Sequence, residues 1–168
     1  MKYKILCACA VFGFAVAVTP AQTKETSAGK CAKPEVMQAV PAGDKDGHAF
    51  MVQSGKCATT STVEGVKSKE GAFAEHDEAT ATHSKGGGIY VETFENGDKI
   101  TYSYTSMGTT KDNMLVTGSN TYTVLSGTGK FKGMKGSGTC TTKGTPDGGL
   151  EYSCKGTYTI GAAAPKKM

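Results

Sequence analysis

The stretch "EGAFAEHDEATATH" gathers Glu75, His76, Asp77, Glu78 and His83 into the densest titratable cluster of the chain. A histidine beside a carboxylate can move a proton near neutral pH, and the same groups ligate divalent metals. On a strand, His76 and Glu78 share one face while Glu75 and Asp77 take the other. His76 and His83 then lie too far apart along one strand to hold a common ion, and no established ligand spacing is present. No metal site is assigned. His48 follows the turn "DKDG" and opens an apolar strand, the setting of a packed histidine or of an acid–base group. The candidate catalytic groups are therefore His48, His76 and Glu78, against a plainer reading as a solvated strand and loop. Asp44 and Asp46 have the spacing of the first ligands of a calcium loop, but Gly47 comes two positions early for one.

Other chemistry is excluded by motif. "SGTGKFKGMKGSGTC", Ser126 to Cys140, combines glycines with Lys130, Lys132 and Lys135, yet it matches no phosphate-binding loop. A P-loop needs Ser or Thr after Gly129-Lys130, where Phe131 stands, and needs glycine where Val124 stands. The dinucleotide fingerprint fails at Lys132. No serine sits in a nucleophile elbow. No cofactor is therefore expected.

The elements that would position these groups are strands. Threonine, serine, glycine, valine and tyrosine dominate, with no sustained 3.6-residue period. "GIYVETFENGDKITYSYT" is a hairpin, and Asn96-Gly97 is the preferred pair for a two-residue turn. That turn sets Thr93 opposite Ile100, Val91 opposite Tyr102 and Ile89 opposite Tyr104. The core face is then Ile89, Val91, Thr93, Ile100, Tyr102 and Tyr104. Tyr90, Glu92, Phe94, Lys99, Thr101 and Ser103 form the wet face. Tyr102 and Tyr104, pointing hydroxyls inward, are the candidate ligand-binding residues; buried tyrosines also find structural partners.

Turn residues mark six further strands, near Glu35–Val40, His48–Thr60 (with Gly55 a candidate bulge), Gly71–Thr80, Met114–Leu125, Gly136–Lys143 and Leu150–Ile160. Eight strands joined mostly by short turns point to a closed antiparallel barrel, all-β, with a β-sandwich as the alternative. In the glycine-rich loop, Phe131 and Met134 can plug the barrel end while the three lysines stay wet.

The ends divide the chain. Lys2 and Lys4 precede the uncharged apolar run Ile5–Val18, and Thr19 and Ala21 occupy the −3 and −1 places of a cleavage site. This is the layout of a secretory signal peptide over residues 1–21, cleaved near Ala21. The run is shorter than the ~20 residues of a membrane-spanning helix. Residues 22–33 read as a flexible N-terminal segment, 34–161 as the barrel domain and 162–168 as a disordered tail. Without Lys2 and Lys4, 17 lysines face 15 acidic residues, a net charge of +2, and arginine is absent. A near-neutral chain without arginine is a poor nucleic-acid binder.

Four cysteines lie beyond the signal segment, an even number that suits an oxidising compartment. Cys140 and Cys154 are symmetric about Asp147 in the turn "TPDGG", so two strands meeting there place them opposite one another. Elimination pairs Cys31 with Cys57. A zinc site from these thiols lacks any CxxC pair.

The run "TVLSGTGKFKGMKGSGT" resembles the V-x-G-G-T-G-x-F-x-G-x-x-G signature of the allene oxide cyclase and dirigent barrel superfamily. Preceded by "IYVETFENGDKITYSYT", it is most similar to small secreted bacterial members without an assigned function. The resemblance covers roughly residues 87–160 and implies an eight-stranded antiparallel barrel. Ser126 stands where those families often carry glycine. The catalytic residues of the plant cyclases and the acidic pocket residues of dirigent proteins have no counterpart by motif here, so no activity is implied.

Three functions are consistent with these features: a secreted or periplasmic binding module for a small apolar or amphipathic molecule, a structural or interaction protein of the cell envelope, and an isomerase- or cyclase-like enzyme using His48, His76 or Glu78. The binding module ranks first. An interior with no cavity above ~300 Å³ would favour the structural role. Neither a nucleic-acid partner nor a membrane span is expected, and the oligomeric state is open.

Overall fold

Ten strands make up the computed structural model, which describes residues 22–111 and 114–161, and along the barrel strands side chains alternate inward and outward. The expected signal peptide and C-terminal tail lie outside the described residues. The strands are β1 (Thr23–Cys31), β2 (Val36–Pro41), β3 (Ala49–Thr60), β4 (Thr62–Val63) and β5 (Val66–Ala79). They continue as β6 (His83–Phe94), β7 (Lys99–Lys111), β8 (Met114–Gly127), β9 (Met134–Gly144) and β10 (Leu150–Ile160). The one helical element among the described residues is a 3-10 turn, Gly129–Phe131, and no helix is long and apolar enough to cross a membrane.

Eight of these strands close on themselves, in the order β1-β10-β9-β8-β7-β6-β5-β3 and back to β1. The β3–β5 pairing, from Ala49 opposite Ala79 to Cys57 opposite Gly71, completes the ring and makes this a barrel and not a sandwich. All neighbours are antiparallel, and closure leaves the ring without free edges.

The eighth barrel strand is not the expected one. Thr23–Cys31, read from sequence as a flexible lead-in, is β1, which pairs with β10 along its full length and with β3 over Ala28–Cys31. Val36–Pro41, counted among the eight, lies outside the ring. β1 and β2 run end to end along one edge of β3, but β2 projects past the end of β10 and has no second neighbour. The physical cause lies in the composition of β1. "TKETSAGKC" alternates polar with small or polar residues, so it carries no apolar period, although its inward side chains face a polar lumen. Gly55, expected as a bulge, keeps regular pairing with β5 opposite Phe73.

The β6–β7 hairpin also differs. Phe94 N–H donates to Asp98 O and Gly97 N–H to Phe94 O, both at 2.9 Å, so the loop has three residues with Gly97 at φ 83°. A three-residue loop with a left-handed third residue is the alternative to the two-residue turn. It shifts the pairing by one: Glu92 faces Ile100 and Tyr90 faces Tyr102. A one-residue slip reverses every side chain of one strand. Tyr90, Glu92 and Phe94 therefore point inward, and Ile89, Val91 and Thr93 form the outer face. Ile100, Tyr102 and Tyr104 point inward as expected.

One end of the barrel is sealed. Phe94, Ile100, Tyr102, Val124, Phe131, Met134, Tyr158 and Val63 form a single buried cluster. Phe131 is fully buried on the 3-10 turn, its ring 4.4 Å from that of Phe94, while Lys130, Lys132 and Lys135 are exposed. Gly129 takes φ 49°, and its lack of a side chain lets the Asp98 carboxylate approach and accept the Lys130 N–H at 3.0 Å. The glycine-rich loop is the plug expected from sequence.

Both disulfides are present, Cys31–Cys57 and Cys140–Cys154. Each joins residues directly opposite on neighbouring strands, β1 with β3 and β9 with β10.

Candidate functional site: a tyrosine- and carboxylate-lined lumen

From the sealed end the interior opens into a chamber of about 110 Å³ lined by Glu25, Glu75, Glu92, Tyr90, Tyr102, Tyr104, Tyr122 and Tyr152 among others. Beyond it lies a wide mouth of about 1100 Å³ whose walls include Met37, Met51, Met107, Met114 and Leu115. Phe73, Glu75, Asn120, Thr142 and Leu150 border both spaces, so the two adjoin.

The tyrosines occupy inward positions of β6, β7, β8 and β10, and glycines on adjacent strands make room for them. A Cβ on Gly71 would strike the Tyr90 ring, one on Gly29 the Tyr152 ring, and one on Gly138 or Gly156 the Tyr122 hydroxyl. The Tyr90, Tyr102, Tyr104 and Tyr152 hydroxyls are satisfied in pairs and triads. Thr59 Oγ1 lies 2.5 Å from the Tyr90 hydroxyl and 2.7 Å from that of Tyr152, and the two phenols are 3.1 Å apart. Burial pushes the Tyr90, Tyr102, Tyr104 and Tyr152 phenols up from their ordinary range. They are neutral donors at physiological pH.

Each inward carboxylate has its own setting. Glu92, 3% exposed, accepts from Ser61 Oγ at 2.6 Å and from the Tyr102 hydroxyl at 3.1 Å. Glu75 accepts from Gln53 Nε2 at 2.5 Å and from the Tyr104 hydroxyl at 2.6 Å. Gln53 also reaches Asp77 at 3.3 Å. Burial raises the Glu75 carboxyl, with the Asp77 charge adding to it, and burial raises Asp77 as well. Glu25 has no side-chain hydrogen bond among the described residues. Burial, and then the Glu92 charge, push its carboxyl up to about 7.

Of the residues singled out in sequence, Tyr102 and Tyr104 lie in the chamber. His76 is exposed on the outer wall of β5. Glu78 is also on that wall, 3.0 Å from Lys85 Nζ and 3.1 Å from His48 Nε2. The His48 ring sits at the rim, its Nδ1 2.5 Å from Asp44. The three candidate acid–base groups thus do not converge on the lumen. Glu75 and Asp77, the other face of the same cluster, do. Among the described residues, no three His, Cys, Asp or Glu side chains come together as a metal site.

Glu25, Tyr90 and Glu92 were missed by the sequence reading. The signal for Tyr90 and Glu92 was the second possible loop length at Asn96-Gly97. For Glu25 it was the spacing Glu25, Ser27, Gly29, Cys31, which places one row of β1 beside a disulfide-anchored position.

Fold and site together define a closed antiparallel barrel with an aromatic-walled interior that holds buried carboxylates, and one open end. Its fold is similar to that of a pterocarpan synthase dirigent protein, with a TM-score of 0.45 and 11% identity over 96% of this chain and 100% of that one. No family profile matches the sequence, and no curated protein does.

Proposed function

We propose that the protein is an exported binding module that holds one small amphipathic molecule in its barrel. The observation that carries this is the pair of adjoining cavities inside and above the barrel. The chamber of about 110 Å³, walled by tyrosine rings with Glu25, Glu75 and Glu92 among them, suits a small head group. The mouth of about 1100 Å³, where methionines alternate with charged residues such as Lys45 and Asp77, has room for the rest of the molecule. Binding pockets are mainly apolar clefts of roughly 300–1,000 Å³ with a few placed polar groups. Methionine adapts to varied ligand shapes. Tyr102 and Tyr104 contribute hydroxyls to the head site. Export to the periplasm or beyond rests on the charged, apolar and small-residue layout of residues 1–21 and on two disulfides, which persist in oxidising compartments.

Native mass spectrometry of protein from its own host, followed by solvent extraction, tests the reading. A reproducible co-purifying small molecule is expected. Bare protein whose melting temperature is unmoved by a metabolite panel would overturn it.

A second reading, as an interaction protein of the cell envelope, draws on the outer wall. Val36, Val40, Phe50 and Val52 are exposed there, beside the free edge of β2. Cross-linking in whole cells distinguishes the two, since a scaffold yields a defined protein adduct and a carrier does not. The enzyme reading draws no support from His76 and Glu78, which lie on the outer wall, and of the three groups His48 alone borders the mouth.

A further inference from the structure

Resting on the binding reading above, we propose that the polar head of the bound molecule is an organic ammonium group, seated against Glu25 and the tyrosine faces of the inner chamber. The lining of the chamber is one-sided in charge. It contains Glu25, Glu75 and Glu92, and no lysine or histidine. A carboxylate taken out of water is costly unless a donor or a cation compensates it. Glu75 and Glu92 each have two side-chain donors inside the barrel. Glu25 has none among the described residues, and it shares the chamber lining with Glu92.

The walls favour the same partner. Aromatic faces carry negative potential and attract cations, more strongly in desolvated sites. Tyr90, Tyr102, Tyr122 and Tyr152 surround the chamber, with Tyr102 and Tyr122 edge-to-face at 5.5 Å between ring centres. An anion would meet three carboxylates and no counter-charge. A bare metal ion finds no set of three ligands among the described residues. Size decides how much of the molecule enters. The chamber, at about 110 Å³, is slightly smaller than an engineered cavity of about 150 Å³ that admits benzene, so only a head group fits. The apolar body is left to the mouth.

A pH signature follows. The titratable groups within electrostatic reach of Glu25 on β1 are Glu92 on β6, Tyr102 on β7, Tyr122 on β8 and Tyr158, itself bonded to Glu64, on β10. The phenols stay neutral near pH 7, so Glu25 changes charge among uncharged rings and one carboxylate. Its ionised form is the partner of the cation. Affinity therefore rises as pH is raised through about 7, with a proton released on binding.

The test uses three probes with one body, octylammonium, 1-octanol and octanoate, in titration calorimetry at about pH 8. Octylammonium should bind about tenfold more tightly than octanol, with octanoate weakest. Glu25→Gln should remove most of that preference. In the unaltered protein, octylammonium affinity should rise between about pH 6 and about pH 8, a measurement that stands even if the variant folds poorly. Octanol or octanoate binding as tightly as octylammonium would overturn the charge assignment and leave the binding reading intact. An ammonium preference unmoved by both Glu25→Gln and pH would overturn the role of Glu25. No binding by any of the three would overturn both readings.

Discussion

The Tyr102 hydroxyl donates to Glu92 Oε2 at 3.1 Å inside the barrel, joining neighbouring strands β6 and β7. The contact exists because the three-residue loop at Glu95-Asn96-Gly97 turns Glu92 inward, where Ser61 supplies its second donor at 2.6 Å. Glu92→Ala should strand both hydroxyls in a dry setting and cost about 2–3 kcal/mol, whereas Glu92→Gln, which keeps an acceptor, should cost about 1 kcal/mol. Urea unfolding midpoints compare the two. Equal losses would show that the network is not what stabilises this wall.

Gly71 lies beneath the Tyr90 ring, with no room for a Cβ. Gly71→Ala should overpack the lumen and lower stability by about 1–3 kcal/mol. In a Tyr90→Ala background the same change should be nearly free, because neighbouring sites couple. Additive losses in the double variant would sink this explanation.

Cys140–Cys154 closes a short loop and Cys31–Cys57 a longer one, with separations of 14 and 26 residues. Removing either pair as Ser–Ser should cost about 3 kcal/mol, slightly more for the longer loop. Protein beginning at Gln22 and unfolded without reductant should show no free thiol by titration. Two free thiols per chain would refute one bridge.

Glu25 binds its proton more tightly in the folded state, at about 7, than in the unfolded chain near the ordinary value of 4.5. Between those values the folded state holds more protons, so stability should fall as pH rises from about 4.5 to about 7 and then level off. Below that window both states are protonated and the penalty vanishes. Glu75 and Asp77, also raised, act in the same direction. Glu25→Gln should flatten the fall by on the order of 2 kcal/mol after allowance for solvent screening. A pH-stability curve that is identical in the variant would refute the raised carboxyl.

Much of this arrangement was legible in the sequence where local chemistry had one solution. "TPDGG" is such a place. Cys140 and Cys154, symmetric about Asp147, admit only the pairing in which they face each other, and β9 and β10 adopt it. Phe131 and Met134 are the only large apolar residues in a glycine-rich bend, so they had to seal something. "FENGDK" had two solutions. A two-residue turn and a three-residue loop both suit Asn96-Gly97, and the choice decides whether Tyr90 and Glu92 or Val91 and Thr93 face the interior.

By itself, then, the sequence determined that the chain is β throughout, where most of its turns fall, which cysteines pair and which loop closes the barrel. These follow from short-range rules on glycine, proline, alternation and cysteine spacing. Only the tertiary structure decided the identity of the lumen. Closure recruits Thr23–Cys31, a strand without an apolar period, and thereby adds Glu25 to the lining that holds Glu92. Alternation along a strand guarantees two faces but does not say which is inside. That depends on loop register and on neighbours distant in the chain, and in this barrel the inner face sets tyrosines and carboxylates above an apolar plug.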